Sequence, residues 1–145
     1  MAAMVGRLDK GGRRRASGGG RSSGLRVVIA EDEAITALHL RALIADLGHR
    51  VCAVEATADG AVASAARHHP DVVLMDIRLA GGGDGVSAAC RIRRQHGIRS
   101  LFVTADTDAH TRERLRHAEP LGVLDKPYTP QEIARALRKV QGSLT

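Results

Sequence analysis

Asp71-Val72-Val73-Leu74-Met75-Asp76 decides the fold. Four apolar residues between two aspartates keep no polar face for water, so residues 71–75 read as a strand buried on both sides, as parallel sheets covered by helices require. Such a strand is central. N-terminal to it, Leu25-Arg26-Val27-Val28-Ile29-Ala30 is a second apolar run, with residues 26–30 as the first strand, and it stops at Glu31-Asp32-Glu33. Ala34 to Leu47 then carries Leu40, Leu43, Ile44 and Leu47 at i, i+3, i+4 and i+7, a helix ended by Gly48. Val51 to Glu55 is the second strand, and Ala58 to His68 an alanine-rich helix stopped by Pro70.

C-terminal to the central run, Gly81-Gly82-Gly83-Asp84-Gly85 leads into a helix over Val86 to Gln95, and Arg99 to Val103 forms the fourth strand, ending at Thr104. The fourth helix, Thr107 to His117, has little beyond Ala109, Leu115 and Ala118 to bury and is weakly anchored. Leu121 to Leu124 is the last strand, with Lys126-Pro127 just beyond it. Thr129-Pro130-Gln131-Glu132 joins an N-cap, a proline at the first helical position and a capping-box glutamate; Ile133, Leu137 and Val140 give the last helix its inner face. Because crossovers between parallel strands are right-handed, five such units predict an α/β fold: a doubly wound five-stranded parallel sheet with helices on both faces. The alternation leaves two common strand orders open.

The 145 residues suit one domain, and a composition 43% hydrophobic but 1% aromatic makes the core one of small and branched side chains. Cys52 and Cys90 follow no metal or disulfide spacing, so buried, reduced thiols are expected, and with them a cytoplasmic location. No apolar run approaches a membrane span, and no secretory signal is present. Most of the net charge of +6 comes from Arg7, Lys10, Arg13, Arg14, Arg15 and Arg21. Residues 1–24, rich in glycine, serine and arginine, are expected to be a disordered basic leader. The folded domain is expected over 25–142, with 143–145 as a tail.

Glu31, Asp32, Asp76, Thr104 and Lys126 each stand where an apolar run stops. Working crevices of open α/β sheets lie at the carboxyl ends of the strands, so the five should converge. Crowded carboxylates repel unless a cation is present, and a few carboxylates with water suit a hard divalent ion. Glu33 reads instead as a first-turn helix acid favoured by the helix dipole, and the scattered histidines have no ligand spacing.

In these residues the chain resembles the response-regulator receiver domains of two-component signalling, over about residues 25–142. The resemblance implies a flavodoxin-like sheet in the order 2-1-3-4-5. It implies Mg2+ (or Mn2+) held by Glu31, Asp32, Asp76 and the backbone carbonyl of Arg78, with Asp76 as phospho-acceptor and Thr104 and Lys126 completing the pocket. It implies a non-enzymatic signalling module of stand-alone type that assists its own phosphorylation and dephosphorylation. Its expected partners are a histidine kinase or histidine phosphotransfer protein and a downstream protein bound through the fourth helix, fifth strand and fifth helix, with a homodimer left open. Arg78 and Asp106 are expected to tune hydrolysis, and Ala105 to leave access to the acceptor. Two positions depart from the family pattern: Val123 replaces a switch aromatic, and Ala80 followed by Gly81-Gly82-Gly83 replaces a proline-containing loop.

Two other classes fare worse. A DNA-associated regulator using the leader lacks a helix-turn-helix pattern and would bind sequence-blind, so nucleic acid is not an expected partner. A flavin or nucleotide enzyme on this fold lacks a Gly-x-x-x-x-Gly-Lys loop and ring-stacking aromatics.

Overall fold

The computed structural model describes residues 24–105 and 108–144. The leader expected over 1–24 lies outside the described residues apart from Gly24, as do Asp106, Thr107 and the last residue of the tail. Strands β1 (Arg26–Ala30), β2 (Arg50–Glu55), β3 (Val72–Met75), β4 (Ser100–Thr104) and β5 (Gly122–Asp125) alternate with helices α1 (Ala34–Asp46), α2 (Ala58–His68), α3 (Gly85–His96), α4 (Ala109–His117) and α5 (Pro130–Ser143). All five strands are parallel, in the order β2-β1-β3-β4-β5. This is the 2-1-3-4-5 arrangement, with β3 at its centre and wholly buried.

Side chains of a strand alternate between faces, and that alternation divides the interior in two. Val28, Ala30, Val73, Met75 and Phe102 pack with Ala61, Ala65, Val86, Ala89 and Ile92 of α2 and α3 and with Leu115 of α4. Val27, Ile29, Val72, Leu74, Leu101 and Val103 pack on the other face with Leu40 and Ile44 of α1 and with Ile133, Leu137 and Val140 of α5. Helices α2, α3, α4 and α5 start behind a side-chain oxygen, of Thr57, Asp84, Asp108 and Thr129, that accepts from an otherwise unpaired N–H. The α5 box is complete: Thr129 Oγ1 accepts from the Glu132 N–H at 3.1 Å, and Glu132 Oε1 accepts from the Thr129 N–H at 2.7 Å.

Several expectations need correction. Leu47 is the C-cap of α1 and is 36% exposed, so the buried stripe is Ala37, Leu40 and Ile44, with Leu43 packed at its margin. His69, left-handed with φ 46°, ends α2 ahead of Pro70. Helix α4 begins at Ala109, capped by Asp108; Thr111, one turn before Leu115 on the same face, is buried, whereas Ala109 is exposed. Strand β4 starts at Ser100, and the guanidinium of Arg99 before it donates to the Glu119 and Pro120 carbonyls, at 2.8 and 3.2 Å. Glu33 is the residue before α1, not in its first turn, and accepts from the Thr36 hydroxyl at 3.0 Å. Cys52 and Cys90 are free but only half-buried, at the margin of the core. The glycine stretch is structured: Arg78–Leu79 and Gly83–Asp84 form an antiparallel ribbon around a 3-10 turn over Ala80–Gly82, where Gly81 and Gly82 adopt φ of 72° and 77°. Those φ values favour glycine.

Among the described residues no helix is long and apolar enough to cross a membrane.

Candidate functional site

Three parallel ladders run one residue past their strands and so fix the backbone at the sheet's carboxyl edge. The Glu31 N–H donates to the Glu55 carbonyl at 2.9 Å, the Asp76 N–H to the Ala30 carbonyl at 3.0 Å, and the Lys126 N–H to the Thr104 carbonyl at 2.9 Å. Carboxylate oxygens of Glu31, Asp32 and Asp76 lie within 4.8 Å of one another. Lys126 reaches two of them, 95 and 50 residues away in sequence, its Nζ donating to Glu31 Oε1 at 2.7 Å and to Asp76 Oδ2 at 2.9 Å. The other oxygens are held by backbone: Asp76 Oδ1 accepts from the Ile77 N–H at 2.7 Å, and Glu31 Oε2 from the Glu33 N–H at 3.0 Å.

Burial grades the three acids. Glu31 is buried, Asp76 half-buried and Asp32 exposed. Desolvation pushes the Glu31 carboxyl up, only partly countered by the Lys126 hydrogen bond and the Glu33 N–H, and the Asp76 charge adds to the rise. Burial works against the Lys126 charge, yet its hydrogen bonds to Glu31 and Asp76 and their negative charges hold its pKa above the usual lysine value. Lys126 is therefore a firm cation. Tyr128, two residues on, is half-buried beside this pair, and burial raises its phenol.

Thr104 is the last residue of β4, in register with Asp125 of β5, and is 1% exposed. Arg78 opens the ribbon two residues after Asp76, with its side chain exposed. Asp106 falls outside the described residues. Val123, where an aromatic was expected from the resemblance, is 43% exposed and lines a groove of about 470 Å³ between α4 and β5 with Ala109, Leu115 and Arg116. Sequence reading missed Gly85 and Asp84. A Cβ on Gly85 would lie 1.8 Å from the Asp76 carbonyl oxygen, so α3 begins against the peptide of Asp76. The available signal was Asp84-Gly85 directly before an apolar helix, an N-cap pattern.

Three carboxylates facing one ammonium leave the pocket net negative, with oxygen donors on a rigid edge and one acid open to solvent. That donor set fits a hard divalent cation such as Mg2+ or Mn2+, which would be held by Glu31, Asp32 and Asp76.

Residues 27–138 match the family model described as response regulator receiver domain. The phyllosphere-induced regulator PhyR of Methylorubrum extorquens is 31% identical over 132 residues, covering 90% of this chain and 47% of that protein. The transcriptional regulatory protein PdtaR of Mycobacterium tuberculosis is 30% identical over 112 residues, covering 77% of this chain and 54% of that protein. The chain thus spans about half the length of these curated relatives. The solved receiver domain of sensor histidine kinase PA1611 from Pseudomonas aeruginosa, with a magnesium ion coordinated in its active-site cleft, aligns with a TM-score of 0.73 and 32% identity over 82% of this chain and 98% of that one.

Proposed function

The chain belongs to the response-regulator receiver domain family of bacterial two-component systems, and from that premise we propose that Asp76 accepts a phosphoryl group from the phosphohistidine of a histidine kinase or histidine phosphotransfer protein. The observation that carries this reading is Lys126 Nζ, hydrogen-bonded at once to Glu31 and to Asp76 within an acidic cluster. A half-buried carboxylate at a strand end, oriented by an ammonium and a backbone N–H, suits a nucleophile.

Phosphoryl transfer needs alignment and charge neutralisation more than covalent help. An Asp76 oxygen attacks phosphorus, the phosphorus–nitrogen bond breaks, and the imidazole leaves with the electron pair. The Ile77 N–H holds one Asp76 oxygen in place while the Lys126 ammonium offsets charge gathering on the phosphoryl oxygens. The Thr104 hydroxyl, at the neighbouring strand end, donates to one of those oxygens once the acyl phosphate has formed. Glu31, Asp32, Asp76 and the Arg78 carbonyl would hold Mg2+, which would supply the remaining neutralisation. The groove between α4 and β5 supports output through a downstream protein, bound across α4, β5 and α5 with an affinity set by the state of Asp76.

Incubation with acetyl phosphate and Mg2+, read by intact mass, tests the assignment. One phosphoryl addition is expected on the wild-type chain and none on Asp76→Asn. Addition to the Asp76→Asn chain would move the acceptor elsewhere.

A further inference from the structure

Asp84 and Arg114 join the segment beneath Asp76 to the helix with the weakest hold on the core. Asp84 caps α3, its Oδ1 accepting from the Val86 N–H at 3.0 Å and its Oδ2 from the Ser87 hydroxyl at 2.9 Å. Oδ2 also accepts from Arg114 Nη2 of α4 in an ion pair. Burial opposes the Asp84 charge, but the hydrogen bonds from Arg114, Ser87 and the Val86 N–H, with the Arg114 charge, hold its carboxyl below the usual aspartate value.

The place of Asp84 is referenced to Asp76 by backbone alone. Gly85 touches the Asp76 carbonyl so closely that a Cβ would overlap it, and the Gly85 N–H donates to the Ile77 carbonyl at 2.7 Å. The ribbon adds a third tie by pairing Asp84 with Arg78. On the far side, α4 buries only Thr111 and Leu115 along its length, and beside the Leu115 contact an open groove of about 420 Å³, lined by Val86, Ser87, Cys90, Arg94 and Arg114, runs between its outer flank and α3. With Leu115 as the main apolar side chain that α4 sets against α3, packing alone passes little displacement between them. An ion pair across the gap can pass it.

We propose that Arg114 is a positioning residue: through Asp84 it couples the backbone at Asp76 to the placement of α4, so that modification of Asp76 and movement of α4 bias each other. The proposal rests on Asp76 as acceptor and deepens that reading. A shift of the Asp76–Gly85 contact carries Asp84 with it, and Arg114 either follows or releases, changing where α4 lies. Coupling of this kind is reciprocal, so a partner that moves α4 alters the ease of modification at Asp76. The two side chains are 35% and 37% exposed, and pairs so open to water add little to stability. The role lies in geometry.

The test uses the full chain with arginine, lysine or alanine at 114. Hydrogen exchange over residues 76–86 and 109–117 is followed by mass spectrometry before and after acetyl phosphate with Mg2+, with intact mass in parallel. Phosphorylation of the wild-type chain is expected to change exchange over 109–117. In Arg114→Ala, exchange over both segments should rise about threefold before any modification, and the response of 109–117 to phosphorylation should fall by about half or more. Arg114→Lys, which keeps the charge without the planar fork, should fall between the two. Wild-type exchange over 76–86 in Arg114→Ala, or an undiminished α4 response, overturns the inference. If the wild-type chain takes no phosphoryl group but Arg114→Ala still loosens 76–86, the acceptor assignment falls and the mechanical link stands; if neither occurs, both fall.

Discussion

Gly85 and Asp76 meet backbone to backbone: a Cβ on the glycine would lie 1.8 Å from the aspartate's carbonyl oxygen and 2.9 Å from its carbonyl carbon. Neither atom belongs to a flexible side chain, so the contact can be relieved only by moving α3 or the peptide of Asp76. Gly85→Ala is expected to lower stability in urea unfolding by about 1–3 kcal/mol, as overpacking does, and to slow phosphoryl acceptance by displacing Asp76. Gly142→Ala is the control, because no atom lies within 4 Å of its added Cβ. Matching unfolding midpoints for the two variants would contradict the contact.

Lys126→Met removes the cation from a pocket in which Glu31 is 5% exposed. Breaking a buried pair by deleting one partner costs about 3–5 kcal/mol, and the lower end applies because the lysine side chain is 21% exposed. The stranded carboxylates should then bind a divalent ion more tightly than in the wild-type chain, while phosphoryl acceptance falls. Thermal unfolding across a Mg2+ titration checks this: the rise in Tm should be larger for Lys126→Met. Equal rises would mean that the ammonium and the ion do not share the same carboxylates.

His49 Nδ1 accepts from the Leu25 N–H at 2.9 Å, which requires a neutral ring. Burial lowers its pKa below the ordinary 6.5, so the unfolded chain binds the proton more readily. The stabilising contribution is complete above about pH 6.5 and is lost as pH falls from there through the lowered folded value. Denaturant unfolding at stepped pH should show this loss in the wild-type chain and a smaller one in His49→Gln, whose amide oxygen can still accept. Parallel curves would exclude the ring as the titrating group.

Phe102, the chain's one phenylalanine, is fully buried among Val28, Met75, Ile92 and Leu115. Phe102→Ala should cost about 3–5 kcal/mol, and the cost should vary with how far the small neighbours collapse into the space. Circular dichroism through a urea titration measures it. A loss below about 1 kcal/mol would be inconsistent with the large cavity such a truncation leaves.

The sequence made the fold legible where one signal served one element. The run Val72-Val73-Leu74-Met75 admits only a doubly buried strand, and Thr129 to Glu132 is a complete local cap. The strand-end positions of Glu31, Asp76, Thr104 and Lys126 were legible for a geometric reason: in a parallel sheet every stopping point of an apolar run falls on the same edge. Relations between elements were not legible. The Asp84–Arg114 pair depends on where α4 lies relative to α3, and the Gly85 contact on how closely a helix approaches a peptide bond. Neither leaves a periodic trace. The ribbon of Arg78–Leu79 with Gly83–Asp84 is too short to show alternation, and a threonine such as Thr111 leaves no apolar mark in a helix whose pattern is mostly polar.

The chain holds one tyrosine and no tryptophan. Tyr128 stands two residues from Lys126, its phenol half-sunk beside the acidic cluster and within the field of Lys126 and Glu31. Native tyrosine emission therefore comes from a single chromophore stationed at the pocket's rim, which gives the protein a built-in, label-free optical gauge of the charge around Lys126 and Glu31.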